Sequence, residues 1–236
     1  MKLFTTHKPK LEDCPPSLKQ NIISWQTYNP SFEFEYFCEE QMTEWIKNNT
    51  SSVLLDCFNS LNTGAGRADF YRIRKLFVEG GIWFDADLPA NDILKRVPDL
   101  IEILNNHKTT FFVSRKRNEP RFMIMASFSG NPIFSEFENQ VYSELNECRK
   151  NKIFIETIDL TGPKAFHRLL CKYLNYKTIS ELNVGDSFNR NGISFVFLDD
   201  VVDYTSSGDD ITKYKKYRRD LKNMGLEHHK SKSAYK

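Results

Sequence analysis

Hydrophobic and polar positions recur with two different periods along this chain. Residues 32–37 place an aromatic side chain at every second position, which predicts a strand. Residues 65–79 instead repeat apolar side chains at intervals of three and four, which predicts a helix with one buried face. Gly80-Gly81 follows directly, and glycine is typical of helix C-termini. The apolar run at 82–84 then predicts a buried strand.

The same patterns extend over most of the chain. Strands are predicted at residues 2–7, 32–37, 82–84, 110–114, 122–128 and 194–198. Helices are predicted from Pro15-Pro16 through Trp25 and at residues 39–48, 65–79, 132–149 and 163–176. Strands and helices follow one another in a mixed order. The predicted fold class is therefore α/β, with a mixed central sheet flanked by helices.

Composition excludes several classes of protein. The 236 residues are 40% hydrophobic and 14% aromatic, enough for a sizeable core, so a globally disordered chain is excluded. The formal net charge of +2 lacks the basic excess of a dedicated nucleic-acid binder. No apolar run approaches the roughly 18 residues that span a bilayer. We expect one domain over residues 1–236, without a membrane span.

The cysteines and the N-terminal residues indicate the compartment. The five cysteines are odd in number and contain no Cys-x-x-Cys pair, so a zinc site and a disulfide framework are both disfavoured. Residues 1–8 contain no apolar region of signal-peptide length. These observations predict a cytoplasmic protein with reduced, mostly buried thiols.

The composition changes in residues 213–236. This basic segment holds nine Lys or Arg and only two acidic residues. Such a segment is typical of a solvated face or a flexible end, and it also suits an anionic ligand. We expect it to close over a bound phosphate-bearing ligand.

Asp85 and Asp87 are the candidate metal ligands. Alternate residues of a strand point the same way, so a strand that continues regularly through Asp87 presents both carboxylates to one spot. A cation relieves the repulsion of two such charges, and hard oxygen ligands favour Mg²⁺ or Mn²⁺ over zinc. The alternative interpretation of an isolated Asp-x-Asp is a solvated turn.

Asp69 and Arg72 accompany these aspartates. They lie three residues apart on the predicted helix, so their side chains point in a similar direction and could bind sugar hydroxyls. The alternative is a surface ion pair of little energetic value. Gly80-Gly81 permits a sharp reversal that returns the strand beside the helix.

This block resembles the Asp-x-Asp sugar-binding region of glycosyltransferase family 32 and its relatives, which include clostridial-type glucosylating toxins. Those proteins carry a small residue and Asp-x-x-Arg on a helix, then Leu, Gly-Gly, an aromatic residue and Asp-x-Asp. Seven positions of this chain agree with that pattern in type and spacing: Asp69, Arg72, Leu76, Gly80, Gly81, Asp85 and Asp87.

Weaker similarities extend through most of the chain. Thr6-His7-Lys8 resembles the family's nucleotide-side segment, and Ser24-Trp25 and Asn29-Pro30 match its Ser-Trp and Asn-Pro pairs. Gly130-Asn131-Pro132 resembles its Gly-x-Pro motif, and Thr161-Gly162-Pro163 matches its Thr-Gly-Pro motif. Residues 228–234 resemble its late His-x-x-x-x-Ser-Trp motif. The last motif matches only in part, because Ala234 follows Ser233 where the family has Trp.

The resemblance implies a GT-A fold and transfer of a sugar from a UDP- or GDP-sugar to a glycan, a lipid-linked saccharide or a protein, with retention of anomeric configuration. It implies Asp69, Arg72, Asp85 and Asp87 as catalytic residues. It implies Mn²⁺ or Mg²⁺ as cofactor, held by Asp87 and Asp85 with His228, or His229 as its substitute. The implied donor-binding residues are Thr6, Trp25, Asp69, Arg72, Asp85, Thr161 and Gly162.

Several alternatives stay open at the level of sequence. Trp25 suits stacking on the nucleotide base, but its helical spacing from Ile22 equally favours a core position. Thr161 suits either a plain helix cap or a site role. For the whole protein, the alternatives are a catalytically silent nucleotide- or sugar-binding module, a protein-glucosylating enzyme like the toxins, and an anion or nucleic-acid binder that uses the basic segment.

Overall fold

The computed structural model describes residues 1–90, 92–96, 99–106, 109–115, 119–175, 187–190, 193–198 and 234–235. The strands are β1 Lys2–Thr6, β2 Glu33–Phe37, β3 Gly81–Phe84, β4 Thr109–Arg115, β5 Glu119–Ser127, β6 Ser187–Arg190 and β7 Ile193–Leu198. The helices are α1 Pro16–Tyr28, α2 Glu39–Asn48, α3 Ser52–Ser60, α4 Gly64–Glu79, α5 Ile93–Arg96, α6 Leu100–Asn106, α7 Pro132–Asn151, α8 Thr157–Leu160 and α9 Pro163–Leu174.

The described strands form one seven-stranded mixed sheet in the order β2-β1-β3-β5-β4-β7-β6. β1 pairs in parallel with β2 and β3, and β4 pairs in parallel with β7. β5 runs antiparallel to both β3 and β4, and β6 runs antiparallel to β7. This sheet and its flanking helices confirm the predicted fold class. The prediction of a single domain over residues 1–236 stays a prediction.

Every predicted strand and helix is present, with bounds within about three residues of the expected ones. The hydrophobic pattern does not predict α3, α5, α6, α8 or β6. Four of these elements have seven or fewer residues, so each repeats its hydrophobic pattern at most about twice. The nine-residue α3 begins at a Ser51 cap whose hydroxyl accepts from the Leu54 amide, and it buries Cys57 and Phe58.

The core lies on both faces of the sheet because successive strand residues point to opposite sides. On one side, Phe4 and Trp83 pack against the large cluster that includes residues of α4, α7 and α9. On the other side, Leu3 and Ile82 pack with Trp25 of α1. The helix face that carries Phe70, Ile73 and Leu76 is buried as the periodicity predicts. The sheet is therefore sandwiched between α1 and the α4 layer.

A buried ionic network fixes the C-terminal half of α4 against the edge of the sheet. Lys75 is only 1% exposed, and its Nζ lies 2.8 Å from a carboxylate oxygen of Glu35 and of Glu79. Lys2 of β1 contacts the same two carboxylates at 2.6 Å. Two cations thus face two anions, which offsets the desolvation that burial imposes on each charge.

The connection from α4 to β3 leaves no room for side chains. Gly80 and Gly81 have φ angles of 69° and 106°, a region that other residues rarely adopt. A Cβ on Gly81 would lie 2.7 Å from the carbonyl oxygen of Lys2 in the neighbouring strand. A Cβ on Gly80 would lie 2.7 Å from the Ser129 amide nitrogen. The predicted sharp reversal is confirmed, and close backbone approach is a second reason for the glycines.

All five cysteines are described as free thiols and four of them are buried, in agreement with the sequence prediction. Within the described part of the chain, no helix combines the length and hydropathy needed to cross a membrane.

We predict that Gly81→Ala destabilises the fold by about 2–4 kcal/mol, because it combines an unfavourable positive φ with a backbone clash. Gly64→Ala is the matched control, since nothing lies within 4 Å of its Cβ position in the first turn of α4. We expect the control to remain within about 0.5 kcal/mol of wild type. Urea unfolding followed by tryptophan fluorescence measures both, and equal midpoints would contradict the prediction.

Candidate functional site

The two aspartates of the Asp-x-Asp motif lie on a turn, not on a regular strand. β3 ends at Phe84, and the Leu88 amide donates to the Asp85 carbonyl at 2.8 Å. The predicted end of the strand at Phe84 is thus confirmed, and the condition under which strand alternation would align both carboxylates is not met. The Asp85 amide still donates to Met123 of β5 at 2.8 Å, so Asp85 remains fixed to the sheet edge. The turn, and not strand alternation, sets the position of Asp87.

Arg72 joins the helix to this turn. Its guanidinium nitrogens lie 2.7 Å from Asp69 Oδ1 and 3.1 Å from Asp85 Oδ1. The same group donates to the carbonyl of Phe122 on β5. Arg72 and Asp69 are 6% and 7% exposed. The surface ion-pair interpretation is thus wrong, because the pair is buried and bridges to a third charge.

Aromatic rings surround the guanidinium of Arg72. Its central carbon lies 4.6 Å from the ring centroid of Trp83 and 5.0 Å from that of Phe122, distances typical of cation–π contacts. The indole nitrogen of Trp83 donates to Asp85 Oδ1 at 3.0 Å. Arg72 Nε is buried and has no hydrogen-bond partner among the described atoms. An enclosed donor without a partner adds to the energetic cost of burying this guanidinium.

The pKa of Asp69 is raised to about 7, chiefly by burial and in addition by the nearby Asp85 carboxylate. The Arg72 guanidinium and a hydrogen bond with Thr161 oppose this rise in the pKa. The Asp69 carboxyl is therefore poised to change charge near neutral pH, which is typical of functional sites.

The loop between α8 and α9 packs closely on the first turns of α4. Thr63 Oγ1 accepts from the Gly66 amide at 3.0 Å and lies 2.8 Å from Thr157 Oγ1. A Cβ on Gly66 would lie 3.3 Å from Thr161 Oγ1, so glycine permits the close approach. This close packing brings the Thr161 hydroxyl within hydrogen-bonding distance of Asp69.

Thr161 and Gly162 lie at the junction of α8 and α9, beside Asp69. Gly162 is the N-cap residue of α9, and Thr161 is the C-cap residue of α8, so the interpretation of Thr161 as an N-cap is wrong. Thr161 is fully buried and contacts Asp69. A Cβ on Gly162 would lie 2.7 Å from the Cα of Ile158, so this position is too crowded for a side chain.

Thr6 lies at the same edge of the sheet as Asp85, because it ends β1, which runs parallel to β3. Its hydroxyl donates to the Phe37 carbonyl at 2.6 Å.

Trp25 does not lie open to a nucleotide base. Its ring is 0% exposed and stacks on Phe84 at 4.4 Å between centroids. The base-stacking prediction for Trp25 is corrected to a core position.

His228 and His229 lie outside the described residues, as does all of the basic segment except Ala234 and Tyr235. Ala234 accepts from the Asn62 amide at 2.9 Å, and Tyr235 pairs with Leu61. These two residues therefore lie against the loop that leads into the Thr63 cap of α4.

The residues that the sequence prediction missed are the neighbours of Arg72. Trp83 is recognisable in sequence only as a buried aromatic before the Asp-x-Asp motif, and Phe122 only as part of a strand. No sequence signal indicates that β5 lies beside β3 and brings Phe122 to Arg72.

The chemistry of the turn fits a hard divalent cation. Asp85 and Asp87 supply carboxylate oxygens, and both residues are partly exposed. Over the residues that can be described, no group of three or more His, Cys, Asp or Glu is placed to hold a metal ion. The two carboxylates would therefore share the ion with the diphosphate of a ligand, water or residues outside the described set.

A family model described as a glycosyltransferase sugar-binding region containing the DXD motif matches residues 15–110. Over residues 15–110 the chain is thus similar to the DXD-motif glycosyltransferases. The matched region contains Asp69, Arg72 and both aspartates of the turn, and it confirms the family resemblance read from the sequence.

Two further likenesses accompany the family match. The "Uncharacterized glycosyltransferase L373" of Acanthamoeba polyphaga mimivirus is 20% identical over 176 residues, which cover 75% of this chain and 66% of the viral protein. This chain thus covers slightly less than two thirds of that relative. The structure called "PaToxG Glycosyltransferase" aligns with a TM-score of 0.49 at 14% identity, over 74% of this chain and 68% of that one.

We predict that Asp69 makes the stability of the fold depend on pH. Its pKa is raised from 3.8 to about 7, so between these values the folded protein binds a proton that the unfolded chain has released. The free energy of unfolding therefore falls as the pH rises from about 4 to 7, by up to about 4 kcal/mol from this group.

Asp69→Asn removes this contribution, so the stability advantage of wild type over the variant should shrink as the pH rises from 4 to 8. Asp56→Asn, on the exposed side of α3, is the matched control. Urea unfolding at pH 4, 6 and 8 measures the differences, and parallel profiles of wild type and Asp69→Asn would disprove the assignment.

Proposed function

We propose that this protein is a metal-dependent GT-A type glycosyltransferase that transfers a sugar from a nucleotide-sugar donor to an acceptor. The observation that carries the proposal is the buried Arg72 bridge between Asp69 on α4 and Asp85 at the end of β3. It places two carboxylates and an unpartnered guanidinium nitrogen at the sheet edge where the DXD motif lies. Ligands commonly bind at the carboxyl ends of strands in such sheets.

In this proposal, Asp69 and Arg72 bind the hydroxyl groups of the donor sugar. Above its raised pKa of about 7, Asp69 is charged, and its oxygens then accept from those hydroxyls. Arg72 and Trp83 both contact Oδ1 of Asp85, which orients that carboxylate toward the ribose of the donor. Thr6 lies on the nucleotide side of the same edge.

Asp87 is the proposed direct ligand of Mn²⁺ or Mg²⁺, with Asp85 beside it. When bound, the cation would stabilise the negative charge that develops on the departing nucleoside diphosphate. Asp87 and Asp85 would hold it, and Arg72 provides fixed positive charge nearby. His228, with His229 as substitute, stays a prediction for a further ligand.

The finer features of the reaction rest on the family resemblance. They are a UDP- or GDP-sugar donor, retention of configuration, and a glycan, lipid-linked saccharide or protein acceptor. A cytoplasmic location and the absence of a nucleic-acid partner stay predictions as well.

A donor screen tests the proposal. We expect one nucleotide sugar from a panel to be hydrolysed with Mn²⁺ or Mg²⁺ and not with EDTA. Asp87→Ala should reduce this rate at least about a hundredfold, because it removes a direct contact with the charge-stabilising group. Asp56→Ala serves as the control, since it replaces an exposed carboxylate on α3.

The outcomes separate the alternatives. Metal-dependent release of one nucleoside diphosphate supports the proposal and identifies the donor. Failure to hydrolyse or bind any donor or metal, measured by calorimetry, would overturn it. Binding without hydrolysis calls for acceptor trials, in which transfer supports the enzyme and its absence favours the silent binding module.

We predict a separate effect for Arg72→Lys. A lysine ammonium cannot span Asp69, Asp85 and the Phe122 carbonyl with the geometry of a guanidinium. Donor hydrolysis should fall about a hundredfold or more, and stability should fall by about 2–4 kcal/mol as one carboxylate loses its buried partner. Arg168→Lys, on the exposed face of α9, is the control. Donor turnover at the wild-type rate in Arg72→Lys would refute the proposed role of Arg72 in donor binding.

A further inference from the structure

One face of α1 holds the segment that contains the Asp-x-Asp turn. Asn21, Trp25 and Asn29 follow one another at intervals of four, so they lie along the same side of the helix. All three side chains form hydrogen bonds to the backbone of residues 86–93. This contact comes from the face of the sheet opposite to α4.

Asn21 makes the most extensive of these contacts. Its Nδ2 donates to the carbonyl of Ala86 at 2.9 Å and to the carbonyl of Leu88 at 2.8 Å. Its Oδ1 accepts from the amide of Ala90 at 3.1 Å. Asp87 is the residue between the two bound carbonyls. A single side chain thus fixes the backbone immediately before and immediately after Asp87.

Trp25 and Asn29 extend the same attachment. Trp25 Nε1 donates to the Leu88 carbonyl at 2.9 Å, and Asn29 Oδ1 accepts from the Ile93 amide at 2.9 Å. Asn29 Nδ2 donates back to the Trp25 carbonyl at 2.9 Å, which holds its amide in the required orientation. These bonds satisfy backbone groups that belong to no strand.

We infer that Asn21 is a positioning residue that holds the Asp87 carboxylate in place for the metal and the donor diphosphate. The inference rests on the proposed function. The turn between Phe84 and Ile93 has only one described backbone bond of its own across Asp87, from the Leu88 amide to the Asp85 carbonyl. Among the side-chain bonds to this segment, the three from Asn21 are the ones that flank Asp87 on both sides. Groups that orient a metal-binding side chain strongly affect its affinity for the metal.

The amide group of Asn21 is required in one orientation. Two backbone carbonyls face Nδ2 and one amide faces Oδ1, so rotation of the amide by 180° would break all three bonds. Asn21→Asp retains the size of the side chain but turns a carboxylate oxygen toward the two carbonyls. Asn21→Ala removes the contacts without this repulsion. The pair of variants therefore separates lost bonds from introduced repulsion.

The first experiment measures binding to the full chain by calorimetry, with Mn²⁺ alone and with Mn²⁺ plus UDP or GDP. We expect Asn21→Asp to weaken Mn²⁺–nucleotide binding by about tenfold or more, and Asn21→Ala by a smaller factor. Gln20→Ala, exposed beside it on α1, should bind as wild type does. Ile46→Val, buried on α2 far along the chain from the turn, controls for a general loss of stability.

The second experiment measures hydrogen exchange of residues 85–90 without any ligand. We expect faster exchange in both Asn21 variants and no change in Gln20→Ala. Ile46→Val should leave this segment unchanged relative to the rest of the sheet. Unchanged exchange in the Asn21 variants would overturn the inference.

Faster exchange with wild-type Mn²⁺–nucleotide affinity would also overturn it, provided that Asp87→Ala abolishes binding in the same assay. If wild type itself binds neither the metal nor the nucleotides, the proposed function fails, and so does the role of Asn21 in positioning a metal ligand. In that case the exchange rates still decide whether Asn21 holds the turn.

Discussion

The candidate site depends on the buried guanidinium of Arg72, which lies between the carboxylates of Asp69 and Asp85. The guanidinium of Arg72 forms ion pairs with Asp69 on the same helix and with Asp85 at the end of β3. It also donates a hydrogen bond to the Phe122 carbonyl of β5. Asp69 is buried, and its carboxylate is unfavourable there without that positive charge. The ion contacts therefore tie a helix and two neighbouring strands into one unit, and the orientation of each group depends on the others.

The glycine pair makes this arrangement possible. From Arg72 to Gly80 the helix advances about 12 Å, and from Gly81 to Asp85 the strand returns about 13 Å. A sharp reversal at the glycines therefore brings Arg72 level with Asp85. Side chains at Gly80 or Gly81 would collide with the backbone of residue 129 or of Lys2, and the strand would be displaced from the helix.

Two helices on opposite faces of the sheet hold the two aspartates. Asp85 lies on the same face of the sheet as Trp83 and forms an ion pair with Arg72 of α4. The backbone around Asp87 is held by Asn21 and Trp25 of α1. The turn between them is thus fixed from both sides although it belongs to no regular element. Fixing both carboxylates in this way reduces the reordering that binding of the proposed cation would require.

The sequence by itself determined most of the elements and the Asp-x-Asp block, because both depend on local periodicity and spacing. Asp69 and Arg72 at i and i+3 on a helix, followed by Gly80-Gly81, already predict that these groups approach the end of β3. The family match over residues 15–110 agrees with that block.

Only the tertiary structure decided which distant side chains complete the site. Trp25 could equally suit a base or the core, and its stacking on Phe84 placed it in the core. The hydrogen bond of Thr161 to Asp69 spans more than 90 residues of sequence, and the bonds of Asn21 span more than 60. Such contacts depend on which elements pack together, and neither propensity nor periodicity encodes that pairing, because both are properties of neighbouring residues.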